Sequence, residues 1–466
     1  MLDKNTHFHF VGIGGIGMSG IAKVLRELGY HVSGCDVDMD QKSIRHLQEL
    51  DCTIAGTHNG TLCHDSSIDV VIHSAAVHLN HPELLHAHRR HIPVVPRARM
   101  LAELMRTKHT VAVAGAHGKT TTTAMISHVA TYAQQDPSFV IGGFSKNLQT
   151  NAHAGMGDFF IAEADESDRS FIYLPVTFAV VTNIDREHLD TYKDLDDIVE
   201  TFKLFLNNLP FYGKAIVCND DPIAHTMLLP DMPHIKTITY GIDHEATYRA
   251  HDIHTTPEGS DFVVTHQGQE QEAFHLPIAG KHNILNALAT IAIAQEMSIT
   301  IETIKAALAC FQGVERRFCY HGTYKGAYVF DDYAHHPKEI ESVLQVARER
   351  AKGKLIVVFQ PHRFTRTQLL WSDFIQTFLQ GKADELIITD IFPASEAPIE
   401  NISSQRLVQE LRDNNITGAT HYVALDDNFD AITRILDEHA QPEDLILLLG
   451  AGKVFKMSEK LIKIKR

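Results

Sequence analysis

The chain of 466 residues has no C-x-x-C pair. Its six cysteines, Cys35, Cys52, Cys63, Cys218, Cys310 and Cys319, are scattered, which argues against a structural zinc site of the usual spacing and against a disulfide framework. No stretch approaches the roughly 18 consecutive apolar residues of a membrane span, and MLDKNTHFHF has no basic segment leading into an apolar one. Basic residues are in deficit, 42 against 58 acidic. The formal charge of -16 opposes nonspecific attraction to nucleic acid or anionic lipid. There is no low-complexity tail and no solenoid period. These absences lead to the expectation of a cytoplasmic enzyme with no nucleic-acid partner and no membrane insertion, either monomer or homodimer. Its 31 histidines make the net charge change steeply just below neutrality.

An apolar content of 44% is ordinary for globular protein, and the length calls for two or three cores. Short apolar runs alternate with helical patterns from THFHFVGIG through IDVVIHSAA, the rhythm of a parallel sheet with crossover helices. That rhythm restarts at TVAVAGAHGKTTTT and again at GAYVFDDYAHHP. The expected division is residues 1–107, 108–315 and 316–466, each an α/β unit. Within the second, DFFIAEAD, VTFAVVTNI and KAIVC read as buried strands, SDFVVTHQG and QEAFHLPIAG as an antiparallel excursion, and HNILNALATIAIAQEM as a helix.

Two glycine-rich loops carry the chemistry. VGIGGIGMSG places Gly12, Gly14 and Gly17 in G-x-G-x-x-G spacing between strand and helix, with Asp36 closing the next strand. Such a crossing suits phosphate at a helix N-terminus. A dinucleotide, another nucleotide-like ligand and a purely structural turn all remain open from this loop alone. GAHGKTTTT also follows an apolar strand and opens a helix, and it adds Lys119 and Thr120, which a structural turn does not need together. Backbone amides cradle polyphosphate, the ammonium neutralises it, and the hydroxyl joins magnesium coordination. The usual loop string has glycine where this chain has Val113. The expected ligand is ATP, ahead of GTP or structural coincidence. Glu163 in EADESD and His188 in NIDREHLD are candidate metal ligands; a solvated acidic loop and a packing histidine are the bland alternatives.

GIGGIGMSG, GAHGKTTTT, EADESD, VVTNIDREHLDTY, GKHNILNA, DDYAHHP and QPHRFTRT, in that order over essentially the whole chain, resemble the motif set of the Mur ligases, most closely the branch that adds L-alanine. The resemblance implies a three-domain α/β architecture: a Rossmann-like N-terminal domain for a UDP-sugar, a central P-loop ATPase domain, and a C-terminal Rossmann-like domain that closes over the site. It implies an ATP- and Mg2+-dependent ligation in peptidoglycan synthesis. The lactyl carboxylate of UDP-N-acetylmuramate is activated as an acyl phosphate and then joined to L-alanine.

The site residues follow from the same resemblance. Gly14, Gly15, Ile16 and Gly17 bring backbone to the diphosphate, assisted by Ser74, Arg97 and Arg99. Gly115, Ala116, His117, Gly118, Lys119, Thr120 and Thr121 enclose ATP, with Lys119 at the transferring phosphoryl group. Thr120 and Glu163 hold the principal magnesium and His188 completes a second metal site, so no carbamylated lysine is expected. His282 and Asn283 approach the nucleotide, as do Arg317 and Asp332. His335, His336, His362, Arg363 and Arg366 serve the amino acid and phosphate oxygens. Ala334 stands where the family pattern often has glycine, which puts the DDYAHHP loop geometry in question. The alternatives weighed are a sister ligase adding a preformed tripeptide, an NAD-dependent oxidoreductase, and a P-loop switch.

Overall fold

The computed structural model describes residues 3–57, 67–74, 76–188, 191–256, 258–394 and 396–463. Cys63, Ala75 of IHSAA, and Leu189 and Asp190 of NIDREHLD lie outside the described residues. The chain divides into two compact units, Met1–Val314 and Glu315–Arg466. Among the described residues no helix is long and apolar enough to cross a membrane.

In the first unit, β1 (His7–Val11), β2 (His31–Cys35), β3 (Thr53–Ala55), β4 (Val70–His73) and β5 (Val94–Pro96) form a parallel sheet in the order β3-β2-β1-β4-β5. Parallel neighbours need crossovers, supplied here by helices such as Ile16–Glu27, whose Ile21, Ala22, Val24 and Leu25 are buried. The strand order reverses at β1, so its carboxyl end opens on the crevice where such sheets bind ligands. The first glycine loop leaves from there.

The second sheet comprises β6 (His109–Ala114), β7 (Ser138–Ser145), β8 (Thr150–His153), β9 (Phe159–Glu163), β10 (Phe178–Val181), β11 (Lys214–Cys218), β12 (Thr237–Gly241), β13 (Tyr248–Thr256), β14 (Gly259–His266) and β15 (Gln269–Leu276). Its order is β15-β14-β13-β12-β11-β10-β6-β9-β7-β8. The antiparallel excursion is β13 to β15, one strand more than the sequence pattern indicates. β6 is central and its Val111 to Ala114 are fully buried. Val113 pairs with Glu163 in the parallel register, so the position where the loop motif usually has glycine is still strand, and the loop opens at Gly115. Glu163 is the last residue of β9.

The helix Lys119–Tyr132 has buried residues all round, because it packs on β7 and β9 and against the helix Lys281–Glu296. Four consecutive buried threonines are tolerated there because their hydroxyls find acceptors: Thr122 donates to Asn286 Oδ1 at 3.0 Å and Thr123 to the Lys119 carbonyl at 2.8 Å.

The second unit holds β16 (Cys319–Tyr324), β17 (Ala327–Asp332), β18 (Leu355–Phe359), β19 (Glu385–Ile388), β20 (Ala419–Tyr422) and β21 (Leu445–Leu449), ordered β16-β17-β21-β18-β19-β20 and antiparallel only at β16–β17. LIVVF and LILLL are buried throughout, as strands covered on both faces must be. Pro337 starts the helix Pro337–Arg350. Ala334 is fully buried and its φ lies outside the left-handed region, so alanine fits where glycine was the pattern.

Candidate active site

The first loop is closed by its own neighbours. Gly14 N–H donates to Asp36 Oδ2 at 2.8 Å, Asp38 N–H donates to Asp36 Oδ1 at 3.1 Å, and Ser43 Oγ donates to the Gly14 carbonyl at 2.6 Å. The Asp36 carboxylate, which in a dinucleotide site faces ribose, is engaged with the loop backbone. Ser74 stands beside Gly12, and the Arg97 guanidinium lies against Gly17. Arg97 pairs with Asp165 at 2.9 Å, whereas Arg99 lies over the Tyr173 ring at 5.4 Å. Of the two expected arginines, Arg97 is the one that meets the loop.

Asp165 carries that contact to the second loop, since the adjacent Glu166 accepts from Lys119 Nζ at 2.9 Å. Gly115 has φ 136° and Gly118 φ 80°; a Cβ on Gly118 would lie 2.7 Å from Asn286 Oδ1, and one on Gly115 would strike the Thr182 hydroxyl. Only glycine makes this turn without strain. Asn183 holds the loop, accepting from His117 N–H at 2.8 Å and from Ala116 N–H through its carbonyl at 3.2 Å. His117 Nε2 is 3.2 Å from Asp185. Thr121 is buried in the first helical turn.

Lys119 curls back over the Gly115 and Ala116 carbonyls. Burial works against its charge, but the carboxylates of Glu166, Glu163, Glu187 and Asp165 outweigh it and hold the ammonium above the usual lysine range. Desolvation opposes the charge of partly exposed Asp165, but the charges of Arg97 and Lys119 beside it outweigh this and hold it well below the usual carboxylate range.

The three expected metal ligands fall into two groups. Thr120 Oγ1 donates to Glu163 Oε2 at 2.9 Å, and the same oxygen accepts from Gly142 N–H at 3.0 Å. His188, in the left-handed region at φ 54°, sets Nε2 3.5 Å from Glu166 Oε1 and 3.6 Å from Glu187 Oε2. Desolvation lowers its basicity, but Glu166 and Glu187 more than offset this and raise it. Glu166 Oε2 is buried without a hydrogen bond. Hard oxygens with one buried carboxylate oxygen to spare fit a magnesium ion, with His188 a less usual donor.

Asn283 opens its helix, and its Oδ1 accepts from Asn286 Nδ2 at 3.3 Å, which links it to Thr122 and Gly118; His282 is exposed at the same helix start.

In the second unit, Asp332 ends β17 and accepts from Phe318 N–H at 2.8 Å and Ala334 N–H at 2.6 Å. Burial, reinforced by Glu339, outweighs these bonds and Arg317 and pushes its carboxyl up to about 6. Arg317 lies 3.6 Å from Glu339, while neighbouring Arg316 is stacked on Phe455 and Tyr333 and donates to the Gly450 carbonyl. His335 faces His362 at 5.7 Å between ring centroids; His336 is buried at the helix start. His362 stacks on Phe392 and its Nδ1 is 3.2 Å from Arg366 Nη1. Burial and the surrounding His335, Arg366 and Arg363 press its basicity down to about 3. Arg363 sits at φ 71°, ψ 134°, a conformation nearly confined to glycine, and pairs with Glu396 at 2.9 Å. DDYAHHP and QPHRFTRT thus converge at the carboxyl ends of β17 and β18.

Sequence reasoning missed Asp165, Glu166, Asn183, Asn286 and Glu396. Glu166, three residues after Glu163, Asn286, three after Asn283, and Asn183, which opens NIDREHLD, were within reach of motif spacing; Glu396 carried no local signal.

Three family models match in succession: "Mur ligase family, catalytic domain" over residues 7–109, "Mur ligase middle domain" over 113–294 and "Mur ligase, glutamate ligase domain" over 316–452. The UDP-N-acetylmuramate–L-alanine ligase of Syntrophus aciditrophicus is 45% identical over 462 residues, covering 99% of this chain and 94% of its own. That of Geobacter sp. strain M21 is 45% identical over 465 residues, covering 99% and 98%. Among solved structures, the UDP-N-acetylmuramate-alanine ligase of Thermotoga maritima matches with a TM-score of 0.81 at 27% identity, covering 98% of this chain and 99% of its own. A murein peptide ligase from Psychrobacter arcticus shares the fold with a TM-score of 0.75 at 23% identity, covering 98% of each chain.

Proposed function

The chain belongs to the Mur ligase family, and we propose that it is an L-alanine-adding member: it joins L-alanine to the lactyl carboxylate of UDP-N-acetylmuramate in the cytoplasm, with ATP converted to ADP and phosphate. One observation carries this reading. Eight curated relatives, 43–45% identical across 99% of this chain, are all UDP-N-acetylmuramate–L-alanine ligases. The tripeptide-adding alternative has weaker support: two tripeptide-adding ligases of known structure are 23% and 26% identical to this chain, against 43–45% for the alanine-adding relatives.

A carboxylate resists attack by an amine until one oxygen becomes a leaving group. Transfer of the γ-phosphoryl group to the lactyl oxygen makes an acyl phosphate; the neutral amine of L-alanine then attacks its carbonyl carbon, and phosphate departs. The first loop, with Gly14 to Gly17, Ser74 and Arg97, is assigned to the UDP-sugar; Arg99, held over the Tyr173 ring, is given no part in it. Gly115 to Thr121 take the ATP phosphates, with Asn283 and His282 beside the nucleotide. Lys119 exchanges its contacts with Glu166 and loop carbonyls for phosphate oxygens, so its charge is in place before the ligand arrives. Thr120 and Glu163 would hold one Mg2+ and His188 a second, whose charge lessens repulsion between polyphosphate and acceptor carboxylate.

In the second unit, Arg317 and Asp332 are assigned to ATP. Arg363 and Arg366 are assigned to the L-alanine carboxylate and departing phosphate, by directional N–H donors. His335, His336 and His362 line that site; His362, held uncharged, offers hydrogen bonding without adding to the cationic charge.

Mass detection of product after incubation with ATP, Mg2+, UDP-N-acetylmuramate and, in parallel, L-alanine or the wall tripeptide tests the assignment. An alanine adduct with one ADP and one phosphate per amide is the expected result. A tripeptide adduct alone moves the chain to the sister branch, and no adduct from folded, ATP-binding protein removes the substrate assignment.

A further inference from the structure

At the opposite end of the third sheet from DDYAHHP and QPHRFTRT, three elements bring together one carboxylate and two imidazoles. Glu385 opens β19 with its side chain only 4% exposed; His421 lies on the adjacent β20; His439 ends the helix Asp430–His439. His439 Nδ1 is 2.7 and 2.9 Å from the two Glu385 oxygens, and His421 Nε2 is 3.4 Å from Oε1. One ligand atom from each residue lies within 4.8 Å of the other two. His421 Nε2 is buried and makes no hydrogen bond. The parallel register sets His421 opposite Ile387, and strand alternation puts Ile387 on the same face as Glu385.

An ion pair explains this cluster incompletely. One carboxylate carries one negative charge, which a single imidazolium balances; a second imidazole beside it either adds an unbalanced positive charge or leaves a buried nitrogen without a partner. A divalent cation satisfies all three groups at once, with both rings neutral. Two imidazole nitrogens and a carboxylate oxygen form a donor set for zinc-type ions and a poor one for magnesium, which prefers oxygen. Bonds of about 2.0–2.1 Å in a tetrahedron place neighbouring donors roughly 3.3 Å apart; His421 Nε2 is 3.4 Å and His439 Nδ1 2.7 Å from Glu385 Oε1, and the three donors lie within 4.8 Å of one another. The partial negative charge at the helix C-terminus favours a cation there as well.

We propose that Glu385, His421 and His439 form a divalent-cation site of zinc type, with its remaining position open to water, that ties β19, β20 and the helix Asp430–His439 together. The residues used for ligation leave from the carboxyl ends of β17 and β18, whereas Glu385 is the first residue of β19. The site is therefore separate from the residues that this unit contributes to the proposed ligation site.

The test uses the full chain, stripped with chelator and free of nucleotide, titrated with Co2+ as a spectroscopic probe and with Zn2+ as competitor. One equivalent of Co2+ giving the visible absorption of a low-coordinate nitrogen-containing site, displaced by Zn2+ and raising Tm, is the expected result. Affinity should fall by at least about 100-fold in His421→Gln and, independently, in His439→Gln, with ligation unchanged. His188→Gln should keep the Co2+ signal, which separates this cluster from that around Glu166. Absence of stoichiometric binding to wild type, or a signal that survives both Gln variants in this cluster and disappears in His188→Gln, overturns the proposal. If either variant fails to fold, the wild-type spectrum and the other variant still decide it.

Discussion

Lys119 in the first unit and Asp332 in the second are both largely withdrawn from water beside loops that leave the carboxyl end of a parallel strand, yet one is held charged and the other is pushed toward neutrality. Lys119 has four carboxylates around it, led by Glu166. Asp332 has two backbone N–H donors and Arg317, and these do not offset its desolvation and the nearby Glu339. His362 repeats the second pattern with the opposite sign, partly buried among cations and driven uncharged. Burial alone therefore does not decide ionisation. The first unit holds an ammonium charged among carboxylates, while the second drives one carboxyl and one imidazole toward their uncharged forms beside arginines that stay charged.

The comparison breaks most visibly if Lys119 is dispensable. Lys119→Met should lower kcat by on the order of 10³-fold or more, because it removes the charge aimed at the transferring group. UDP-N-acetylmuramate binding, measured by calorimetry, should change little; a tenfold loss or less in kcat refutes the role. On the second unit, Arg363→Lys keeps the charge and removes the fork. The KM for L-alanine should rise by roughly 10-fold or more with the KM for ATP nearly constant, and an equal rise in both would show that the variant disturbs the whole site instead.

A third expectation concerns pH. The Asp332 carboxyl titrates near 6 in the fold against an ordinary 3.8, so the folded state holds the proton more tightly. Its contribution is favourable at low pH and is lost as pH rises from about 4 through 6, by at most about 3 kcal/mol. Asp332→Asn should therefore gain Tm relative to wild type across that window. A pH-independent difference would mean that the backbone donors already stabilise the carboxylate.

The smallest effect lies where partners act with less burial. Glu27 is desolvated, yet His153, Lys23 and the Ala154 N–H bring it down to about 2; His153 is raised by Glu27 and Asp136 against its own desolvation. The Glu27 contribution is present above about 4.5 and lost toward pH 2, and the His153 contribution is present below about 6.5 and lost as pH rises through its folded value. His153→Gln should cost under about 1 kcal/mol, since the ring is 42% exposed, with the largest Tm loss near pH 5–6. A loss that grows at alkaline pH would contradict the assignment.

Much of the site was legible because loop chemistry is local. Gly115, Gly118, Lys119 and Thr120 lie within six residues, and a strand before and a helix after fix what they can do. DDYAHHP and QPHRFTRT were readable for the same reason, each following a run of buried apolar residues. The partners of these groups were less readable. Arg97 and Asp165 are 68 residues apart, Thr122 and Asn286 are 164 apart, and Glu396 meets Arg363 from a loop with no motif of its own.

Sequence by itself determined the three α/β rhythms, the two glycine crossings and the charged residues they display, because strand alternation, helix periodicity and glycine-dependent turns act over a few bonds. Tertiary structure alone decided that Arg97 and not Arg99 meets the first loop, that Glu166 holds Lys119, and that Asp332 and His362 are driven toward their uncharged forms. Those outcomes depend on desolvation and on charges a few ångströms away, and such distances exist only after the sheets have brought distant segments together.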